Sequence, residues 1–217
     1  MTDNPVTLID PENWERAGQY RLFSTYARPQ YAMTARVEVT RLLTVLKPAG
    51  VKPAIACMYA LGHASNVIPA FRHRLREDGM VAEYSRADIS STVALPAGGF
   101  AFSEIEYDPD FARFAENCEE ATAAALAQTE LKPNSGDLGR FVFLTCTPWT
   151  DFTSISHALR GPEDCIPRLA WGKFTGDGNG RHSMAVSAEV HHALVDGAHL
   201  GRFFLEVQAA LDAIPLP

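Results

Sequence analysis

A chain of 217 residues with 47% hydrophobic and 21% charged residues is long enough to bury one substantial core and short for two, and it lies outside the disordered and fibrous classes. Its net charge of −7 argues against general nucleic-acid binding, which draws on a basic surface, while leaving room for a local positive patch that receives a phosphate-bearing cofactor. No apolar run approaches the roughly 20 residues of a membrane span. Residues 1–10 have neither the basic start nor the apolar stretch of a secretory signal, and Cys57, Cys118, Cys146 and Cys165 show neither CxxC pairing nor zinc spacing. The expectation is a cytoplasmic protein with free thiols.

Residues 11–26 read as a helix, with Asp10 as N-cap and Pro11 at its first position. Residues 32–39 alternate and end in β-branched side chains, which predicts a strand. Thr40 can cap a short helix carrying Leu42, Leu43, Val45 and Leu46, stopped by Pro48 and Gly50. Pro53 opens an apolar helix to about Asn66, with so few charges that it should be buried on most sides. Residues 80–85, 91–96 and 99–107 read as strands separated by turn residues. Asp108, Pro109 and Asp110 start a helix that runs through Phe111, Phe114, Ala115 and Cys118 to about Thr129. A polar loop over 132–139 follows, then strands over 141–146, 168–174 and 183–192. The last helix begins near Asp196 and puts Leu200, Phe203, Phe204, Val207 and Leu211 on one side. With no repeat, low-complexity tract or long linker, the chain reads as one domain over 1–217. The mixture of strands and helices without strict alternation predicts an α/β or α+β sheet with helices packed on one face.

The chemistry concentrates in residues 189–202, where a strand enters and a helix leaves. Alternation along a strand sends His191 and His192 to opposite faces, so one of them can face a given cleft. Asp196 is placed to cap the outgoing helix, and Gly197 permits a tight turn. A histidine at a strand end suits general base work, its ordinary pKa of about 6.5 lying near working pH. By spacing alone such a residue is more often a structural histidine with its bonds satisfied. A metal site of His191, His192 and Asp196 is a third reading, weakened because adjacent strand residues diverge and no further ligand stands near.

The run His191-His192-Ala193-Leu194-Val195-Asp196-Gly197 resembles the HHxxxDG signature of the trimeric chloramphenicol acetyltransferases, a signature shared with related acyltransferases and peptide-synthetase condensation domains. Other segments narrow the resemblance to the first group. Trp14-Glu15-Arg16, followed by Tyr20 and Phe23, resembles its W-x-R helix. Pro69-Ala70-Phe71-Arg72 resembles P-x-F-R, and Thr145-Cys146-Thr147-Pro148-Trp149, with Phe152 and Ser154, resembles the S-x-x-P-W stretch. Gly172-Lys173-Phe174 resembles G-K-Y, and His199, Gly201, Arg202 and Leu205 continue the match beyond the signature. The segments follow the family's order and span nearly the whole chain. The fold they imply is a two-layer α/β sandwich that assembles as a homotrimer.

The resemblance also implies roles. His192 would take the proton of an acceptor hydroxyl as its oxygen attacks the thioester carbonyl of acetyl-CoA, with the acetyl group passing directly through a tetrahedral oxyanion. His191 would be its structural neighbour. Thr145, at the family's serine position, would donate to that oxyanion; threonine keeps the hydroxyl but stiffens χ1. Asp196 would pair with Arg16 and shape the site rather than relay protons. Trp149 and Phe174 would line the coenzyme tunnel, and Lys173 would attract its phosphates. The implied site lies between subunits, with His192 from one chain and much of the acceptor pocket from its neighbour.

Three departures concern the acceptor side, where Tyr20, Phe23 and Ala170 fall. Ala170 replaces a family threonine, Phe23 a tyrosine facing chloramphenicol, and Phe174 the tyrosine of G-K-Y, each losing a polar handle. The leading expectation is therefore O-acetylation of chloramphenicol by acetyl-CoA without a metal. The alternatives are a CoA-dependent acyltransferase for another small alcohol, and a ligand-binding homologue with weak catalysis.

Overall fold

The computed structural model describes residues 4–217, so the first three residues of the segment read above for a leader lie outside it. The main sheet has seven strands. Side by side run β2 (Gln30–Glu38), β10 (His182–His191), β8 (Arg168–Gly172), β7 (Phe141–Thr147), β5 (Asp88–Ala94) and β6 (Phe100–Ile105), and β9 (Thr175–Gly176) pairs with β10. β5, β7 and β8 run parallel and the other pairings are antiparallel, so the sheet is mixed. A smaller sheet is formed by β1 (Val6–Ile9), β4 (Val81–Tyr84) and β3 (His73–Leu75).

Period-two alternation sorts β10 into two faces. Met184, Val186, Ala188 and Val190 join the main core with α2 (Pro53–Val67), α3 (Phe111–Leu126) and α4 (Gly197–Ala213). Residues Ile55 to Leu61 of α2 are buried without a gap, as its uniform apolarity required, and Phe71 stacks on Phe203 of α4 at 4.8 Å. The opposite face of β10 carries Ala185, Ser187, Glu189 and His191, yet these are buried too. They are covered by the connection over 148–167: His157 bonds to Glu189, Pro162 to His191, and Gln30 of β2 to the carbonyls of Gly161, Pro162 and Asp164. Helices thus pack one face and a long loop the other.

Several expectations need correction. The helix read over 11–26 is a single turn, Pro11–Asn13, followed by α1 (Ala17–Phe23). Asp10 does cap the first turn through the Glu12 amide, but Trp14 is extended (φ −89°, ψ 143°), its ring set edge-on against His73 at 5.2 Å. Packing of one tryptophan overrides helical periodicity there. Thr40 does not cap the turn at Leu42–Leu46, because its hydroxyl accepts from the His182 amide across the sheet. α3 ends at Leu126, three residues before the expected limit. β5 begins at Asp88 rather than Ser91, and β1, β3 and β9 were not anticipated. Gly172 is a close-approach glycine: a Cβ there would sit 2.8 Å from the Thr150 carbonyl, so the loop lies directly on β8. The four cysteines are free.

The small sheet supplies a pH handle. His73 is buried, its Nδ1 without a partner and its Nε2 3.6 Å from Glu83. Burial pushes its pKa down from 6.5 to about 4 in spite of Glu83. The unfolded chain binds this proton near pH 6.5 and the folded chain only near 4. Stability should therefore fall as pH drops through that window, by up to roughly 3 kcal/mol for this group. Urea unfolding at pH 7 and pH 4.5 should show the loss, and His73→Phe should remove part of it; an equal loss in the variant would contradict the assignment.

Candidate active site

β10 ends at His191, and the chain turns tightly before α4: the amides of Leu194 and Val195 both donate to the His191 carbonyl at 3.0 Å. The ring of His191 is buried, donating from Nε2 to the Pro162 carbonyl at 2.9 Å and accepting at Nδ1 from the Ala193 amide at 3.2 Å. Burial lowers its pKa, so it stays neutral. With both nitrogens spent it has none left for a metal, and among the described residues no group of three or more His, Cys, Asp or Glu could hold one.

His192 points elsewhere. Its amide donates to the Pro29 carbonyl at 3.0 Å. Its ring lies flat between Phe23 of α1 (3.8 Å, 7° between planes) and Tyr31 of β2 (4.5 Å, 29°). Nδ1 is buried without a hydrogen-bond partner. Two aromatic faces thus fix the plane of the imidazole, as offset or stacked π systems do. Tyr31 was missed from sequence. Its hydroxyl lies 3.4 Å from the Val195 carbonyl, and burial, with Asp196 nearby, pushes its pKa up to about 12.

Asp196 caps α4 by accepting from the Ala198 and His199 amides, and His199 Nδ1 accepts in return from the Asp196 amide at 3.1 Å. His199 Nδ1 is also 3.0 Å from Asp196 Oδ1, but burial lowers the pKa of His199, and a neutral ring makes the bond from the amide. Asp196 Oδ2 accepts from Arg16 Nη1 at 2.8 Å. Burial alone would raise the Asp196 pKa; the Arg16 bond and the His199 amide reverse this and hold it below the ordinary value. Arg16 is buried, its guanidinium 5.9 Å from the Trp14 ring and its Nε and Nη2 unpartnered. Arg16→Ala should cost about 2 kcal/mol, less than for a fully buried pair because the Asp196 side chain is 32% exposed. The cost should vanish as pH falls through the depressed Asp196 pKa, below about 3.9; urea midpoints across pH check both claims.

The other expected residues lie apart. Tyr20 of α1 donates its hydroxyl to the Gly79 carbonyl at 3.1 Å, so it holds the small sheet rather than joining His192. Thr145 of β7 pairs with Ala170 of β8, which pairs with Ser187, five residues before His192. That register separates Thr145 from His192 by about 16 Å along the strands and about 10 Å across them. They also leave opposite faces: Leu144 and Cys146 pack with the core, while Thr145 lines a cavity of about 470 Å³ on the loop-covered face. Ala170 is fully buried between its neighbours. Trp149 is 82% exposed on the turn after β7, beside exposed Lys173, whose amide donates to the Thr150 carbonyl at 3.0 Å; Phe174 is half-buried against the core. These three sit at one corner of the molecule.

Also unforeseen is a polar pair at the wall of the Thr145 cavity, which His157 lines. His157 donates from its amide and from Nδ1 to Glu189 Oε2, each at 2.9 Å. A buried glutamate in a strand of Ala, Ser and Val was the available signal. No helix among the described residues is long and apolar enough to cross a membrane.

A family model described as chloramphenicol acetyltransferase matches residues 4–208. The chain is 30% identical over 204 residues to a chloramphenicol acetyltransferase of Clostridium perfringens, covering 93% of this chain and 92% of that one. It is 26% identical to chloramphenicol acetyltransferase 2 of Escherichia coli, covering 96% and 98%. A solved chloramphenicol acetyltransferase superposes with a TM-score of 0.83 at 29% identity, over 95% of this chain and 100% of that one. A match over nearly all the described residues, with the signature histidines at the turn between β10 and α4, shows that the chain belongs to the chloramphenicol acetyltransferase family of acyltransferases.

Proposed function

We propose that the protein transfers the acetyl group of acetyl-CoA to a hydroxyl of chloramphenicol, as a single domain assembled into a homotrimer in the cytoplasm. The observation that carries this reading is the His192 ring, held flat between Phe23 and Tyr31 with its orientation fixed before any substrate arrives. An imidazole so held takes the proton from an acceptor oxygen without first giving up rotational freedom. Arg16 and Asp196 keep the turn that carries it. Thr145 donates to the oxygen on which charge develops. Because Thr145 and His192 of one chain are far apart and on opposite faces, they work together only if a neighbouring copy supplies one of them, which favours sites at subunit interfaces.

Acetyl-CoA supplies the activated acyl group. The corner formed by Trp149, Lys173 and Phe174 fits such a molecule chemically, with an exposed indole for a purine ring and an ammonium for phosphates.

A second reading, acetylation of a different alcohol, is favoured by the polar and charged side chains His157, Arg160 and Arg168 that line the Thr145 cavity. Release of free coenzyme thiol, followed with acetyl-CoA and a panel of small alcohols, separates the two. Release with chloramphenicol supports the first. Release with another alcohol and none above hydrolysis with chloramphenicol supports the second.

A further inference from the structure

The turn that carries His192 is closed by its own amides, and the last of them depends on a histidine that the transfer chemistry does not use. His192 donates to the Pro29 carbonyl, Ala193 to Nδ1 of His191, and Leu194 and Val195 both to the His191 carbonyl. The next amide, that of Asp196, donates to Nδ1 of His199 at 3.1 Å. The same nitrogen stands 3.0 Å from Oδ1 of Asp196. It therefore faces a donor and an acceptor of one residue, and its protonation state decides which of them it bonds. Without a proton, Nδ1 takes the Asp196 amide and completes the capping box of α4. In the imidazolium both ring nitrogens only donate. Nδ1 then turns to Oδ1, which already receives the Ala198 and His199 amides at 3.0 and 3.3 Å, and it opposes the Asp196 amide donor to donor. The charged groups that face the ring are Asp196 at the start of α4 and Glu15 and Arg16 ahead of α1. Burial, helped by Arg16, lowers the pKa of the ring against the pull of Asp196 and Glu15, so the neutral form holds at pH 7. The His199 side chain is 30% exposed, so solvent protons reach it, whereas His191, the other ring that accepts an amide in this turn, is almost wholly enclosed.

We propose that His199 is a positioning residue for His192: its neutral ring closes the turn on the Asp196 amide, and protonation of Nδ1 opens it. The effect on rate rests on the acetyl-transfer reading, since it takes His192 as the base. Asp196 lies four residues after His192 on one tight turn. Releasing its amide lets the end of the turn shift, while the Phe23 and Tyr31 rings stay where α1 and β2 hold them. An imidazole displaced between those rings is a base out of line with the acceptor oxygen, and a misplacement of about 1 Å is enough to cost a large factor in rate.

The test uses the full chain and two substitutions. His199→Ala removes the acceptor, and His199→Asn returns an amide oxygen near the place of Nδ1 that takes no proton. At about pH 7.5, His199→Ala should lower kcat about tenfold with KM for both substrates within about twofold, and His199→Asn should restore most of the rate. A kcat equal to wild type in His199→Ala overturns the proposal, and so does an equal loss in both variants. The acid limb adds a readout that a packing role would not move. Between about pH 7.5 and pH 5, the fractional loss of rate in His199→Asn should be at least about threefold smaller than in wild type, and equal limbs overturn the proposal. If His199→Ala does not fold, the acid limb of His199→Asn decides. A measurement without transfer keeps this separate from the acetyl-transfer reading. By NMR, the Asp196 amide proton should move upfield in wild type with the same midpoint as the His199 ring, and stay in place in His199→Asn. If the wild type transfers to no alcohol in the panel, the acetyl-transfer reading fails. The His199 assignment then stands if the Asp196 amide follows the His199 titration and falls if it does not.

Discussion

His192→Ala is expected to lower acetyl transfer by about 10⁴-fold while the chain still unfolds in one cooperative transition. The size follows from what the imidazole does. Without a base, the acceptor oxygen must attack as a neutral alcohol or lose its proton to water, and a positioned base is worth 10²–10⁴-fold. The upper end is expected because the ring is already immobilised between Phe23 and Tyr31, so removing it also removes orientation. The fold should tolerate the change, since His192 lies beyond the last residue of β10 and the turn is held by His191 and Asp196. Thiol release together with a urea titration measures both quantities, and near-normal turnover in a folded variant would remove His192 from the mechanism.

The second large effect comes from mixing two inactive chains. Thr145→Ala alone should cost about 10²–10³-fold, the usual consequence of losing one oxyanion donor. If each site takes His192 from one copy and Thr145 from another, random mixed assembly of the His192→Ala and Thr145→Ala chains leaves about a quarter of the sites with both groups intact. Co-refolded mixtures should therefore recover activity far above either parent. If both groups came from one chain, no mixed site would be complete and the mixture would stay at the level of its parents. The register between β7, β8 and β10 makes the first outcome the expected one.

What was legible in the sequence was local chemistry. Asp110 caps α3 through the Arg113 amide and Asp196 caps α4, both as their spacing before apolar runs suggested. β10 and the divergence of His191 from His192 follow from alternation alone. What was not legible depends on contacts between distant segments. Trp14 breaks its helix to reach His73, across 59 positions. Tyr31 meets His192 only because β2 pairs with β10, a partner no local pattern names. His157 sits in a loop without periodicity, and its bond to Glu189 closes only when that loop folds over the sheet. Tyr20 matched a motif in order and spacing, yet its hydroxyl is committed to Gly79.

The double anchoring of His191 has a practical consequence for chemical labelling. Reagents that carbethoxylate imidazole need a nitrogen lone pair reached from solvent. At residue 191 one nitrogen bears the proton given to Pro162 and the other is occupied by the Ala193 amide, in a side chain that is almost wholly enclosed. Its neighbour at 192 is only half-buried. The two adjacent histidines should differ sharply in labelling rate, so a peptide carrying both would gain a single adduct in the folded protein and two after denaturation.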